Sequence, residues 1–115
     1  MNLYAEARSG ALVVSVNEER LDAAIAIRFK DLMREVTSQP SQRVVLDLSH
    51  VTFLDSSGLG AVVAVMKSLG PDRRLELAGL TPNVERVFRL TRMDSVFSIH
   101  RSVDAALREG IRNVG

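Results

Sequence analysis

Short apolar runs alternate along this chain with stretches in which apolar residues recur at helical spacing, and polar, glycine or proline residues separate the two kinds. Leu3 to Ala7 and Ala11 to Val16 predict two extended segments joined by Arg8-Ser9-Gly10, where Gly10 tolerates the positive φ of a tight turn. Asn17 to Leu21 reads as a polar loop, and Asp22 as the N-cap of the next helix. Leu21, Ile25, Phe29, Leu32 and Val36 share one face of that helix, while Lys30, Asp31, Arg34 and Glu35 face water. Ser38-Gln39-Pro40-Ser41 ends it.

The continuous run Arg43-Val44-Val45-Leu46-Asp47-Leu48 predicts a buried central strand. A helix over Ser57 to Leu69 follows, with Leu59, Val62, Val63, Met66 and Leu69 at helical spacing, and Gly70-Pro71-Asp72 stops it. Arg74 to Ala78 alternates as a strand. Thr81-Pro82 starts a helix with Thr as cap and Pro at the first position, burying Val84, Val87 and Phe88. Val96 to Ile99 predicts a short last strand. Ser102 caps a final helix that buries Val103, Ala106, Leu107 and Ile111. The order is ββαβαβαβα: an α/β fold with one mixed sheet of four to five strands, parallel after the first hairpin, and about four helices. No linker or repeat divides residues 1–115, so a single domain is expected.

Composition narrows the class without naming a function. Of 115 residues, 46% are hydrophobic and 25% charged, ordinary for a soluble globular domain. A formal net charge of +1 gives no reason to expect direct nucleic-acid or membrane binding. The absence of cysteine removes disulfides and thiolate metal sites and fits a reducing cytoplasm. The first residues, Met1 to Glu6, lack the pattern of a signal peptide, and no apolar run approaches bilayer length, so a cytoplasmic location is expected.

The candidate chemistry is at Asp55-Ser56-Ser57-Gly58-Leu59-Gly60, between the central strand and the following helix. Two hydroxyls fall where backbone N–H groups are unpaired and the helix dipole is positive. A phosphate on Ser56 would receive donors from the first-turn amides, with Asp55 beside it as a repelling charge. Gly58 and Gly60 weaken a helix, by about 1 kcal/mol each relative to Ala, and let another chain approach closely. Ordinary N-cap chemistry produces the same residues, and local chemistry alone favours that reading. Other sites are weaker. His50 and His100 lack the spacing of a metal pair, and metal ligation is not expected. Leu54 stands where a nucleophile elbow needs its first glycine, and no phosphate-loop lysine signature occurs, so no catalytic residue is assigned and the chain is read as a non-enzyme. Arg86, Arg89 and Arg92 form a solvated face or a docking patch; Ala61, Ala64 and Ser68 are either packing or contact surface.

The segment from Leu46 through Gly60 resembles the signature of bacterial anti-sigma factor antagonists, whose fold is the STAS domain (sulfate transporter and anti-sigma factor antagonist). Glu19-Arg20-Leu21-Asp22 resembles the family's segment before the first helix, and Leu75 to Val84 its strand-turn-helix after the switch helix. The resemblance implies that Ser56 is phosphorylated by a serine-kinase anti-sigma factor of the GHKL-type ATP fold, and that a PP2C-like phosphatase removes the phosphate. ATP and Mg²⁺ would belong to the kinase; no cofactor is implied for this chain. Asp22, Asp55, Ser57, Gly58, Leu59, Gly60 and Ala61 would form the switch loop and partner surface of a protein acting as a monomer. Many members have Gly where Glu19 stands, which bears on partner choice. The alternative within the family is a non-switching subunit of a lipid-importing ABC transporter complex, which genomic neighbourhood would distinguish.

Overall fold

The computed structural model describes residues 1–112, with side chains described through Glu109. In chain order the elements are β1 (Leu3–Arg8), β2 (Ala11–Val16), β3 (Arg20–Leu21), α1 (Ala26–Val36), β4 (Arg43–Asp47), β5 (Phe53–Leu54), α2 (Ser56–Leu69), β6 (Arg74–Ala78), α3 (Pro82–Leu90), β7 (Ser98–His100) and α4 (Val103–Arg112). Five strands form one mixed sheet in the order β1-β2-β4-β6-β7, antiparallel only between β1 and β2. The remaining two pair in parallel as a separate small sheet, β3-β5.

Strand alternation sorts the core into two layers. Leu12, Val14 and Val16 of β2, Val44 and Leu46 of β4, and Leu75 and Leu77 of β6 meet Phe29 and Met33 of α1, Val62, Val65 and Leu69 of α2, and Val84 and Phe88 of α3. Ala11, Val13, Val45 and Ala78 point the other way and meet Ala106 and Leu107 of α4. Burial on both faces is why β2 and β4 are nearly continuous apolar runs. The helix lengths and polarity leave none long and apolar enough to cross a membrane among the described residues.

The hairpin turn is tighter than expected: Ser9 as well as Gly10 has positive φ, 49° and 80°. This is the pair of left-handed residues that a two-residue turn of this handedness requires. Asp22 is not the N-cap of α1. That helix starts at Ala26 after Ile25, and Asp22 instead accepts from the Ala24 amide in the turn before it, at 3.1 Å. The buried face of α1 is Ala26, Phe29 and Met33, with Leu32 only half-buried and Ile25 and Val36 packed at the margin, because contact with the sheet and α2 centres the stripe on Phe29 and Met33. On α2 the fully buried face is Gly58, Ala61, Val62, Val65 and Leu69, while Leu59, Val63 and Met66 are half-buried and pack at its margin. An apolar helix leaves its rotation ambiguous in sequence; the sheet decides it. Thr81 precedes α3 as expected, but its hydroxyl donates to the Val51 carbonyl at 2.7 Å and accepts from no amide of the helix. A 3₁₀ turn over Met93–Ser95 ends at Val96, the residue where the sequence predicts the last strand to begin, so β7 starts two residues later and runs from Ser98 to His100. Ser102 does cap α4, accepting from the Ala105 amide at 3.0 Å. The expectation for Ile111 lies outside the described side chains.

β6 also departs from simple alternation. Leu75 to Ala78 are all buried, Glu76 among them at 3% exposure. Its carboxylate accepts from Arg43 Nε and Nη2 at 2.6 and 2.8 Å, and lies 2.8 Å from His100 Nε2. Arg43 Nη2 also donates to the Ala106 carbonyl at 2.9 Å, tying β4 and β6 to α4. Burial pushes the Glu76 pKa up, but the hydrogen bonds from Arg43 and His100 more than offset it, and the net result lies below the ordinary value of 4.5. A depressed carboxylate contributes stability that is fully present above its unfolded pKa and disappears as pH falls through the folded one. The wild type is therefore expected to lose more of its urea resistance between pH 6 and pH 3 than Glu76→Gln, a comparison of roughly two pH extremes that leaves every other carboxylate in place. Parallel pH profiles for the two proteins would overturn this assignment.

Candidate functional site

The site is assembled where α1 and α2 begin. The small β3-β5 sheet fixes it, with Arg20 opposite Phe53 and Leu21 opposite Leu54. The Glu19 carbonyl accepts from the amides of Thr52 and Phe53, at 2.8 and 3.2 Å, so the acidic loop before β3 lies against the segment leading to α2. Leu21 and Leu54 are buried in the main core and anchor both strands.

Asp55, not Ser56, is the N-cap of α2. Its backbone is extended, and its Oδ1 accepts from the Gly58 amide at 2.8 Å. The other oxygen, Oδ2, accepts from the Ala23 amide at 3.1 Å. One carboxylate thus clamps the start of α2 to the turn that precedes α1. The Gly58 amide, followed by the smaller contributions of Ala23 and other backbone donors, holds the Asp55 carboxyl below the usual carboxylate range. The clamp also changes the expectation for a phosphate nearby. The Gly58 donor is occupied by Asp55, so the first turn does not offer it to a group on Ser56.

Ser56 is the first residue of α2 and is exposed, as is Ser57. Gly58 is buried. A Cβ built there would lie 2.0 Å from the Leu21 carbonyl oxygen, so the close approach that this glycine allows is to β3 of the same chain, not to a partner. Gly60 is different: it is exposed, and nothing lies within 4 Å of where its Cβ would be. Leu59 is half-buried against the core. Ala61 is 3% exposed and belongs to the packing face of α2, not to the exposed surface expected to meet a partner. Asp22 is half-buried beside the site, with Arg20 Nε donating to its Oδ2 at 3.1 Å. Asp22, Asp55, Ser56, Ser57 and Gly60 are thus brought together at one corner of the domain, with Leu59 at its edge and Gly58 and Ala61 beneath.

One feature of this corner is absent from the expectations. The Arg20 guanidinium lies over the Phe53 ring, 4.2 Å from its centroid, and Phe53 is 41% exposed. Strands of two residues leave no periodic trace in sequence, and the aromatic at Phe53 was the available signal. Of the histidines, His50 is exposed and His100 serves the Glu76 cluster. Arg86, Arg89 and Arg92 are exposed, and Arg89 pairs with Glu85 at 3.4 Å along α3.

Comparison with known proteins follows the same lines. The protein-family model of the STAS domain matches residues 2–106. BtrV of Bordetella bronchiseptica, named as a candidate anti-sigma factor antagonist, is 33% identical over 96 residues, covering 83% of this chain and 76% of that one. The crystal structure of an anti-sigma factor antagonist from Mycobacterium paratuberculosis superposes with a TM-score of 0.84 at 29% identity, covering 94% of this chain and 92% of that one. The Bacillus cell fate determinant SpoIIAA, solved in its phosphorylated form, shares the fold at 19% identity, with a TM-score of 0.66 over 99% of this chain and all of that one.

Proposed function

The chain belongs to the STAS-domain family, and on that premise we propose that it is an anti-sigma factor antagonist that works by partner switching. Unphosphorylated, it docks on a serine-kinase anti-sigma factor and frees that protein's client. The kinase, of the GHKL-type ATP fold, transfers the γ-phosphoryl group of its own ATP to Ser56 Oγ, and the complex separates. A PP2C-like phosphatase restores the hydroxyl. The chain is the kinase's substrate, acts as a monomer in the cytoplasm and performs no catalysis.

The observation that carries this reading is the exposed Ser56 hydroxyl on a frame held by the Asp55 clamp. A kinase needs its acceptor oxygen accessible and held still, since positioning supplies much of phosphoryl-transfer catalysis. The frame also supports an outward position for the new charge. With the Gly58 amide held by Asp55, a phosphate of about −1.5 to −2 charge adds to a neighbouring anion and faces outward, into the surface that the partner covered. An interface that encloses a neutral hydroxyl then encloses a net negative charge.

Incubation with its native serine-kinase partner and ATP, followed by phosphosite mapping by mass spectrometry, is expected to place one phosphate on Ser56. A phosphate on Ser57 or elsewhere would overturn the assignment.

A further inference from the structure

The arginine on the small β3-β5 sheet has a geometry that packing alone does not require. Arg20 is a surface residue, yet its guanidinium is held twice, over the Phe53 ring at 4.2 Å and against Asp22 Oδ2 at 3.1 Å through Nε. Of the five N–H donors that a guanidinium carries, only the one on Nε is engaged in a hydrogen bond among the described residues. The Nη groups, which form the fork that matches a phosphate, remain available.

The direction in which Arg20 leans matters as much. Asp22 lies two residues further along the chain, so the side chain reaches forward, parallel to β5 and toward the start of α2. From the Arg20-Phe53 register, Ser56 lies three residues on. Strands about 4.8 Å apart with a rise of about 3.3 Å per residue put the two Cα atoms roughly 11 Å from each other. One arginine and one phosphoserine side chain close such a span between them. The surroundings are otherwise acidic. Glu18 and Glu19 precede Arg20, Asp22 follows it, and Asp55 precedes Ser56. Both aspartates are fixed by backbone amides, Asp22 by Ala24 and Asp55 by Ala23 and Gly58, so they are not free to withdraw from an added anion.

We propose that Arg20 is the built-in counter-ion of phosphorylated Ser56. On phosphorylation the guanidinium leaves the Phe53 ring and Asp22 and takes two phosphate oxygens through its Nη groups. A phosphate carries more charge than the carboxylate it displaces and accepts the fork in bidentate fashion. The phosphorylated protein then differs from the unmodified one in two surface features: a phosphate whose charge the guanidinium offsets in part, and a bare aromatic ring where the arginine had been. A phosphatase that must select the modified form is offered both. The proposal rests on Ser56 being the modified residue.

The test installs phosphoserine at position 56 during synthesis and so needs no kinase. The second phosphate pKa is read by ³¹P NMR in the wild-type background, in Arg20→Gln and in Arg20→Lys. A facing guanidinium favours the dianion, so the value is expected to lie about half a pH unit or more lower in wild type than in Arg20→Gln, with Arg20→Lys between them. The Arg20 Nε and Phe53 ring resonances are expected to move between the unmodified and phosphoserine proteins. Equal phosphate pKa values in wild type and Arg20→Gln, or unmoved Arg20 and Phe53 resonances, would overturn the proposal. Phosphate mapped by the kinase to another serine would instead overturn the functional reading and leave this measurement standing.

Discussion

Ser56→Asp is expected to weaken binding to the kinase partner by more than about a hundredfold, a loss near 3 kcal/mol, while Ser56→Ala binds as the wild type does and accepts no phosphate. The contrast isolates charge from shape. Both substitutions are made at an exposed position at the first turn of α2, where the domain itself makes no use of the hydroxyl: no described hydrogen bond involves Ser56 Oγ. An aspartate there favours the helix dipole if anything, so thermal stability is expected to stay near the wild-type value. Only an interface that desolvates this corner responds strongly to the new anion. Titration calorimetry with the purified partner reads the outcome. Full affinity in Ser56→Asp would remove electrostatic release as the switching step.

Gly58→Ala and Gly60→Ala, two residues apart in the same motif, are expected to change stability in opposite directions. At Gly58 the added methyl would fall 2.0 Å from the Leu21 carbonyl oxygen and 2.8 Å from its carbon. Those atoms are backbone of β3, whose side chain is buried, so no flexible tip can yield. The helix start must move away, breaking the Asp55 contact with Ala23 or the β3-β5 pairing, and we expect a loss of about 3 kcal/mol. At Gly60 the same methyl meets nothing within 4 Å, and the helix gains up to about 1 kcal/mol of propensity. Urea denaturation of the two variants separates the cases. A Gly58→Ala midpoint equal to wild type would show that the approach to β3 is not the reason for glycine. Gly60→Ala, more stable yet altered at the exposed surface, then reports partner contact alone.

Much of this architecture is readable from residue order because the main sheet is buried on both faces. Val44-Val45-Leu46 and Leu12-Val13-Val14 have apolar partners on each side, and such runs admit few other placements. The turn at Ser9-Gly10 and the stop at Gly70 are equally local, since each depends on a backbone conformation that glycine supplies. What escaped was set by contacts between distant segments. Asp22 has the chemistry of a cap, but the Asp55 clamp and the Ala24 amide recruit it and its neighbours into a turn, and α1 starts later. Glu76 in an alternating run reads as solvent-facing; Arg43, 33 residues earlier, and His100, 24 residues later, hydrogen-bond its carboxylate and, with Arg74 at 3.6 Å, make its burial tolerable. Ala61 and Gly58 look like contact surface because small residues serve both roles, and the rotation of α2 alone assigns them inward. The motif's position, its exposed serine and its aspartate were legible; the arginine over Phe53 was not, because two-residue strands carry no period.

The Asp55 clamp grips main-chain donors and no side chain. Every residue except proline presents such a donor, so position 23, which is exposed, can change identity without loosening the grip. On the proposed function, geometry for accepting a phosphoryl group and identity of the docking protein are thereby separable properties. Under that proposal, duplicated copies of such a gene can drift toward different clients inside one cell while each keeps the proposed switch, with Gly58 as the fixed point around which the divergence occurs.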